Sequence, residues 1–327
     1  MMTTAAAGAL SGLPPAIANH VAGCGRRIII TGASGWIGLA TLELLAHAIG
    51  SDWPQRVVAF GSSARTIQFG NGLGIEQRPL AAIAELPPQP SLLLHLAFLT
   101  KDKVAGMSEA DYIAANAAIS GAVEQALLPA DVRAVWVASS GAAARADDAA
   151  AAPAMQLYGR LKRDDEDRFA AWADRSGRRA VITRVFNITG RHINKPEHYA
   201  VASFILDALA GRPVTVKAPH RVERGMIGVS ELMAVVFAEL LASETGVSRF
   251  DSGGTGLELG DIAQEVAHVL NAPGASRAAI TSDRIDRYLG DEPGWDALCQ
   301  RHGVPRQSLA AQIRETAAFL AEAAKAT

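Results

Sequence analysis

The sequence predicts an α/β protein with a doubly wound parallel sheet and a smaller, mostly helical C-terminal lobe. Short apolar runs alternate with helical patterns up to about residue 190. The runs are continuous, which is typical of strands that are buried on both faces. Strands that alternate with helices form βαβ units, and right-handed crossovers arrange these units into a parallel sheet.

Five apolar runs mark the expected strands. They are "RIIITG" (27–32), "RVVAFG" (56–61), "SLLLHLA" (91–97), "AVWVASSG" (134–141) and "AVITRVFN" (180–187). Helical periodicity predicts the intervening helices at about 37–48, 108–129 and 155–175. After residue 190, a loop leads to a helix that ends at Gly211. Further helices are predicted near 229–242, 259–271 and 305–324.

These elements divide the chain into three parts. Residues 1–25 are rich in alanine and glycine and are expected to form an N-terminal extension. Residues 26–190 are expected to form the parallel-sheet domain. Residues 191–327 are expected to form the smaller lobe, with some return of the chain to the sheet domain near 220–255.

Composition argues against several classes of function. The net charge of −2 gives no global basic field, so nucleic acid is not an expected partner. No stretch of about 18–20 uninterrupted apolar residues occurs, so no membrane span is expected. Cys24 and Cys299 are far apart and form no C-x-x-C pattern, which favours a cytoplasmic location. The histidines show no metal-ligand spacing, so no metal site is predicted.

The stretch "TGASGWIG" (31–38) forms a glycine-rich turn between the first strand and the first helix. Glycines allow a sharp turn and the close approach of a pyrophosphate, which the N-terminus of a helix attracts. The sequence therefore predicts a Rossmann-like dinucleotide site, and the alternative is an ordinary turn without a ligand. The cofactor-binding residues expected here are Gly32, Ser34, Gly35, Trp36, Ile37 and Gly38.

The end of the second strand predicts which nicotinamide cofactor binds. An NAD site normally has an acid at this point, which accepts hydrogen bonds from the adenosine ribose. Here the sequence reads "AFGSSART" and contains no acid. Gly61, Ser62, Ser63 and Arg65 suit a 2′-phosphate instead, which favours NADP(H) over NAD(H). The alternative for Arg65 is an ordinary surface cation.

Three residues form a candidate catalytic set. Tyr158 and Lys162 lie four residues apart on a predicted helix and so share one face. A protonated lysine beside a phenol favours the phenolate, so such a tyrosine can exchange a proton with a substrate oxygen. Ser140 ends the fourth predicted strand, at the sheet edge where open α/β sheets bind ligands. Its hydroxyl can polarise a reacting carbonyl, or it can merely begin a loop.

Seven short motifs occur one after another over about residues 26–235. They are "TGASGWIG", "LHLA" (94–97), Asn116 in "AANAAISGAVEQAL", "SSG", Y-x-x-x-K, "TRVFNITG" (183–190) and "RGMIGVSEL" (224–232). Together they resemble the extended short-chain dehydrogenase/reductase family. The resemblance is in particular to its NAD-dependent epimerase/dehydratase branch, which acts on nucleotide sugars.

The resemblance implies roles for individual residues. Ser140 and Tyr158 would bracket the reacting oxygen, and Lys162 would hold the nicotinamide ribose. Further contacts to the cofactor are implied for Leu96, Ala97, Asn116 and Val185. Asn187 and Arg224 would contact the diphosphate of the substrate, although Arg224 could equally be a surface residue. Thr100 and Tyr199 are candidate pocket residues, with core or loop roles as the alternative.

The same resemblance implies an assembly. In the family, the helices that correspond to 108–129 and 155–175 pair across a two-fold axis, so a homodimer is expected. The alternative is that both helices simply cover the sheet.

One departure from the family's motifs limits the reactions that are expected. The sugar 4,6-dehydratases place an Asp-Glu pair directly after the active serine or threonine, and this chain has Gly141-Ala142. Dehydratase activity is therefore not expected. The first prediction is an NADP(H)-dependent keto-sugar reductase, and the alternative is an NAD-dependent nucleotide-sugar 4-epimerase. A second alternative is a non-catalytic NAD(P)-binding sensor or scaffold.

Overall fold

The computed structural model describes residues 12–70, 72–100, 106–149 and 151–325. These residues group into two compact units. The sheet unit contains Leu13–Val185 and Met233–Asp251. The C-terminal unit contains Phe186–Leu232 and the chain from Ser252 onward.

Strands and helices alternate over much of the chain. The strands are β1 (Arg27–Thr31), β2 (Val57–Gly61), β3 (Arg65–Phe69), β4 (Leu73–Pro79), β5 (Ser91–His95), β6 (Val132–Ser140), β7 (Arg179–Val185), β8 (Asn187–Thr189), β9 (Val214–Val216), β10 (His220–Gly228), β11 (Gly246–Asp251), β12 (Gly256–Glu258), β13 (Ala275–Arg277) and β14 (Ser282–Tyr288). The α-helices are α1 (Pro15–Gly23), α2 (Trp36–Ile49), α3 (Trp53–Arg56), α4 (Glu109–Leu127), α5 (Pro153–Ser176), α6 (Ala200–Leu209), α7 (Val229–Ala242), α8 (Leu259–Val269), α9 (Glu292–His302) and α10 (Leu309–Lys325).

The sheet unit is built on an eight-stranded sheet with the order β11-β7-β6-β5-β1-β2-β4-β3. Every neighbouring pair is parallel except β3 and β4. Strand order reverses at β1, where β2 lies on one side and β5 on the other. In such sheets, ligands bind beyond the carboxyl ends of the strands at this switch point. The predicted doubly wound, Rossmann-like fold is confirmed.

Apolar side chains on both faces hold this sheet in place. All five residues of β1 and all five of β5 are buried, as the continuous apolar runs predict. A core cluster joins Ile29, Leu93 and Val135 of the sheet to Phe169 and Trp172 of α5. The central strands are therefore rigidly packed, and their carboxyl ends provide a fixed edge on which a site can be built.

Residues 13–25 lie in the segment that was expected to be an N-terminal extension. They contain α1, and Leu13 onward groups with the sheet unit. Leu13, Ile17 and Val21 recur every four residues and are all buried. The Arg56 guanidinium donates hydrogen bonds to the Val21 and Ala22 carbonyls at 2.9 and 2.7 Å, which satisfies the end of the helix.

A hairpin follows the second strand, where the sequence pattern indicated no structure. Strands β3 and β4 pair antiparallel, and β4 then pairs parallel with β2 through Ala59 and Gln77. The burial pattern of β3 alternates, because it is the edge strand with one face exposed. The hairpin places the residues after Gly61 at the edge of the candidate cofactor site.

The C-terminal unit combines helices with short strands. The predicted helices occur as α6, α8 and α10, together with α9, which the sequence analysis did not predict. Strand β10 pairs with β8, β12 and β14, and β9 pairs with β13. No helix in the described part of the chain is long and apolar enough to cross a membrane.

A buried ion pair fixes the returning segment of the chain to the sheet. The Arg179 guanidinium lies 2.8 Å from Glu239 Oε2, and the Ser248 hydroxyl donates to the same oxygen. These contacts join β7, α7 and β11. Both side chains of the ion pair are buried, so removing one would leave an uncompensated charge in the core.

Replacing Glu239 with glutamine is therefore expected to lower the free energy of unfolding by about 3 kcal/mol. Urea denaturation measures the change. Asp167→Asn is the matched control, because the Asp167–Arg249 pair is exposed and such pairs contribute about 0–1 kcal/mol. Equal losses in the two variants would contradict the prediction.

Candidate active site

The glycine turn has the geometry of a phosphate cradle. Gly32 has φ +71°, and a Cβ added there would lie 2.7 Å from the Ala97 nitrogen. A Cβ on Gly38 would lie 2.5 Å from the Ala33 oxygen. Helix α2 begins directly after Gly35, and no side chain caps it. Its N-terminal N–H groups therefore face a turn in which only backbone can fit closely, and this arrangement suits a pyrophosphate.

Hydrogen bonds hold the residues that follow β5 against this turn. The Thr31 hydroxyl oxygen accepts hydrogen bonds from the Leu96 and Ala97 N–H groups at 3.2 and 3.3 Å. The predicted cofactor residues Leu96 and Ala97 therefore lie against Gly32. Ser34, Trp36 and Ile37 occupy the turn itself and the first residues of α2.

The end of β2 contains no carboxylate. Ser62, Ser63 and Arg65 are all exposed, and Arg65 forms no ion pair with any described residue. The buried Gln77 side chain fills the space next to the Gly61 Cα, and its Nε2 donates to the Ser63 carbonyl at 2.8 Å. Gln77 was not among the predicted site residues, because β4 was not predicted. The segment therefore presents hydroxyls and a guanidinium to solvent.

The three candidate catalytic residues come together in the sheet unit. Lys162 Nζ donates to the Ala138 carbonyl at 2.9 Å, two residues before Ser140 on β6. The Ser140 hydroxyl accepts from the Ala142 N–H, which begins the turn after the strand. A Cβ on Gly159 would collide with the Ala142 carbonyl, so helix α5 approaches this turn very closely. That approach brings the neighbouring Tyr158 to the end of β6.

Phe98 joins the catalytic pair and was missed by the sequence analysis. Lys162 Nζ lies 3.8 Å from the centre of the Phe98 ring, within the range of a cation–π contact. The Tyr158 ring meets Phe98 edge-on, with ring centres 5.7 Å apart. The position directly after "LHLA" was the only sequence signal for this residue. Phe98 therefore holds the two side chains in a shared arrangement.

Burial controls the charge of Lys162. It lowers the pKa of the ammonium to about 8, while the carboxylates of Asp165 and Glu166 oppose this fall. Lys162 is thus largely protonated at neutral pH and loses its proton as the pH rises through about 8. An ammonium next to Tyr158 favours the ionised phenol that proton exchange requires.

A second network braces the end of β6. The Ser139 hydroxyl donates to Glu166 Oε1 at 2.5 Å, and the Arg184 guanidinium makes two hydrogen bonds to the same carboxylate. Val185, a predicted cofactor residue, is the register partner of Ser140 on the neighbouring strand. The backbone at Ser140 is therefore held from both β7 and α5.

Asn116 fastens the loop that follows β5. It is buried on α4, its Oδ1 accepts from the Leu99 N–H at 2.8 Å, and its amide donates to the Tyr112 carbonyl. The Tyr112 hydroxyl donates to the Leu99 carbonyl at 2.7 Å. Asn116 thus positions the loop in the described structure. Thr100 is exposed at the end of this loop.

The predicted substrate residues Asn187, Tyr199 and Arg224 belong to the C-terminal unit. The Asn187 amide donates to the carbonyls of Gly225 and Tyr288, which brings Asn187 next to Arg224. The Arg224 guanidinium lies 2.9 Å from Asp286 Oδ2, a partner that the sequence analysis missed. Tyr199 is exposed at the start of α6.

Among the described residues, no group of three or more His, Cys, Asp or Glu side chains is arranged to hold a metal ion. The glycine turn, the uncapped helix and the parallel sheet are typical of nucleotide-binding α/β proteins. The sequence matches the NAD dependent epimerase/dehydratase family over residues 28–249, and the chain belongs to this family. No curated protein matches the chain by sequence.

Solved structures share the fold across nearly the whole chain. UDP-N-acetylglucosamine 4-epimerase from Methanobrevibacter ruminantium, in complex with UDP-N-acetylmuramic acid, has a TM-score of 0.71 and 17% identity, covering 91% of this chain and 99% of that one. UDP-glucose 4-epimerase from Thermus thermophilus, in complex with NAD, has a TM-score of 0.67 and 20% identity with the same coverage. A dTDP-glucose 4,6-dehydratase from Streptomyces venezuelae has a TM-score of 0.64 and 17% identity, covering 90% and 97%.

Proposed function

We propose that the chain transfers a hydride between a nicotinamide cofactor and a carbon of a nucleotide sugar. The observation that supports this proposal is the close packing of α5, which carries Tyr158 and Lys162, against the turn that follows Ser140 of β6, in the same unit as the glycine turn. The nicotinamide supplies or accepts the hydride when bound. The glycine turn and the N-terminus of α2 bind its pyrophosphate.

The side chains then act on the substrate oxygen. The Tyr158 phenol gives the proton when a carbonyl is reduced and takes it when an alcohol is oxidised. The Ser140 hydroxyl donates a hydrogen bond to the same oxygen and stabilises its developing charge. Lys162 stabilises the ionised phenol and orients the nicotinamide ribose. Asn187 and Arg224 are proposed to bind the diphosphate of the substrate, for which Arg224 exchanges its contact with Asp286.

Two reactions use this chemistry. A 4-epimerase oxidises the sugar alcohol and returns the hydride to the other face, and this candidate is favoured by the 4-epimerases among the similar structures. A keto-sugar reductase makes one net transfer and needs an exchangeable cofactor. The carboxylate-free end of β2 favours the reductase, because it suits NADP(H). Elimination of water is not proposed, because Gly141 and Ala142 supply no acid or base.

Assays of the purified protein distinguish these two reactions. The protein is incubated with UDP-sugars and with keto-sugar nucleotides, with and without added cofactor. Conversion of a UDP-sugar to its 4-epimer without added cofactor supports the epimerase. Oxidation of NADPH by a keto-sugar nucleotide supports the reductase. A 4-keto-6-deoxy product would contradict the exclusion of dehydratase activity.

We propose that NADP(H) is preferred over NAD(H), although the similar structures include complexes with NAD. Replacing Arg65 with alanine is expected to weaken NADPH binding by about 10–100-fold, because a charge-assisted hydrogen bond contributes about 1.5–3 kcal/mol. NADH binding should change little. Fluorescence titration with each cofactor measures both affinities. Arg160→Ala, at another exposed arginine of the sheet unit, is the control. Equal losses for NADPH and NADH would contradict the preference.

A further inference from the structure

A buried chain of polar groups runs from β1 to α5 beneath the candidate catalytic pair. His95, the last residue of β5, is buried, and its Nδ1 lies 3.0 Å from the Thr31 hydroxyl. The hydroxyl oxygen also accepts the N–H groups of Leu96 and Ala97. The Leu96 N–H is shared with the Thr31 carbonyl at 3.1 Å. Since the hydroxyl oxygen already accepts from the backbone, we assign the hydroxyl as the donor to His95 Nδ1.

This arrangement determines the form of His95. Burial lowers the pKa of its ring to about 3, and the charges of Lys162 and Arg168 act in the same direction, so the ring is neutral. A neutral ring that accepts at Nδ1 carries its hydrogen on Nε2. That nitrogen lies 3.9 Å from Asp165 Oδ2. The distance exceeds a hydrogen bond, so the N–H dipole stabilises the carboxylate electrostatically.

Asp165 lies between His95 and the catalytic lysine. It follows Lys162 by three residues on α5, so the two side chains are neighbours on one face of the helix. Burial raises the pKa of Asp165, and the exposed Asp164 acts in the same direction. Lys162, the Ser120 hydroxyl on α4 and Arg168 oppose this rise. The carboxylate thus depends on Lys162, Ser120 and Arg168 to remain charged, and the neutral His95 ring adds its Nε2–H dipole 3.9 Å away.

The other charged groups near Lys162 already have partners. Glu166 makes two hydrogen bonds to Arg184, and Arg168 lies 2.9 Å from Glu124 Oε2. Asp165 forms no ion pair with an arginine or lysine in the described part of the chain, and neither its Oδ2 nor His95 Nε2 has a hydrogen-bond partner there. Its charge therefore acts mainly on Lys162.

We propose that Asp165 is a positioning residue that keeps Lys162 protonated, and that His95 and Thr31 hold it in its charged form. The proposal rests on the proposed role of Lys162 in hydride transfer. The proposal also links the cofactor turn to the catalytic helix. Thr31 directly precedes the glycine turn, and its hydroxyl contacts His95, the first residue of this chain of polar groups. The turn that binds the cofactor and the helix that carries the proton donor are thereby coupled through β5.

Direct titration of Lys162 tests the proposal without any substrate. The protein is labelled with [ε-13C]lysine, and Lys162→Met identifies the signal of Lys162 among the six lysines. In the unsubstituted protein, the signal should titrate with a midpoint near pH 8. In Asp165→Asn, the midpoint should be about one unit lower, because a neighbouring negative charge has been removed. Asp164→Asn, an adjacent exposed acid, should leave the midpoint unchanged.

An unchanged midpoint in Asp165→Asn overturns the proposal, and so does an equal shift in Asp164→Asn. If Asp165→Asn fails to fold, a titration of the unsubstituted protein still tests the proposal. With [γ-13C]aspartate labelling added to follow Asp165, the Lys162 signal should change at the pH at which Asp165 takes up its proton. The absence of such a change would refute the coupling. A shifted midpoint in a protein without turnover would contradict the proposed function alone.

Discussion

Replacing Tyr158 with phenylalanine is expected to lower turnover of the identified substrate by about 10³-fold. The phenol is the group that moves a proton to or from the substrate oxygen, and a positioned general acid or base contributes about 10²–10⁴-fold. The substitution removes the hydroxyl and keeps the ring. The edge-on contact with Phe98 should therefore persist, and with it the cation–π contact between Phe98 and Lys162.

The measurement compares steady-state turnover with cofactor binding. NADPH and NADH affinities, measured by fluorescence titration, should change by less than about twofold, because the glycine turn is untouched. Thermal unfolding should also be unaffected. Ser140→Ala is an informative companion, since it removes an oxygen-stabilising donor and should cost about 10²-fold. Turnover that survives unchanged in Tyr158→Phe would show that the proton donor has been assigned wrongly.

The sheet was predictable because its strands are buried on both faces and therefore have continuous apolar sequences. Strand β3 escaped prediction because it is a short, exposed edge strand in which only Ile67 and Phe69 are buried. Helix α1 was missed because its apolar residues stand among alanines and glycines, where composition alone indicates an extension. Helix α9 is strongly polar, and the burial of Trp295 and Cys299 depends on tertiary packing that no local pattern reports.

The candidate site also contains features that the sequence predicted and features that it did not. The spacing of Tyr158 and Lys162 is local, so one helix turn was enough to predict that they share a face. The contacts of His95 with Thr31 and Asp165 join three different elements, and their sequence separations carry no periodic signal. Asp165 and Glu166 follow Lys162 by three and four residues in the sequence. Only the structure shows that the Glu166 carboxylate accepts hydrogen bonds from Ser139 and Arg184, whereas Asp165 lies next to His95.

Replacing Gly32 with alanine is expected to lower the free energy of unfolding by about 3–4 kcal/mol and to abolish cofactor binding. Two effects combine at this position. The backbone is left-handed, with φ +71°, which costs an alanine about 1–2 kcal/mol. A Cβ would also lie within 2.7–2.9 Å of backbone atoms of Leu96 and Ala97, and such overpacking costs about 1–3 kcal/mol.

Gly25 separates the two effects. Its φ of +65° is almost the same, but a Cβ there has nothing within 4 Å. Gly25→Ala should therefore show the conformational cost alone, about 1–2 kcal/mol, and should bind NADPH normally. Urea denaturation and fluorescence titration of both variants measure the difference. Since the Leu96 and Ala97 N–H groups are held by Thr31, the loop cannot retreat from the new methyl group without breaking those hydrogen bonds. Equal behaviour of the two variants would mean that the close approach of β5 to the turn does not shape the cofactor site.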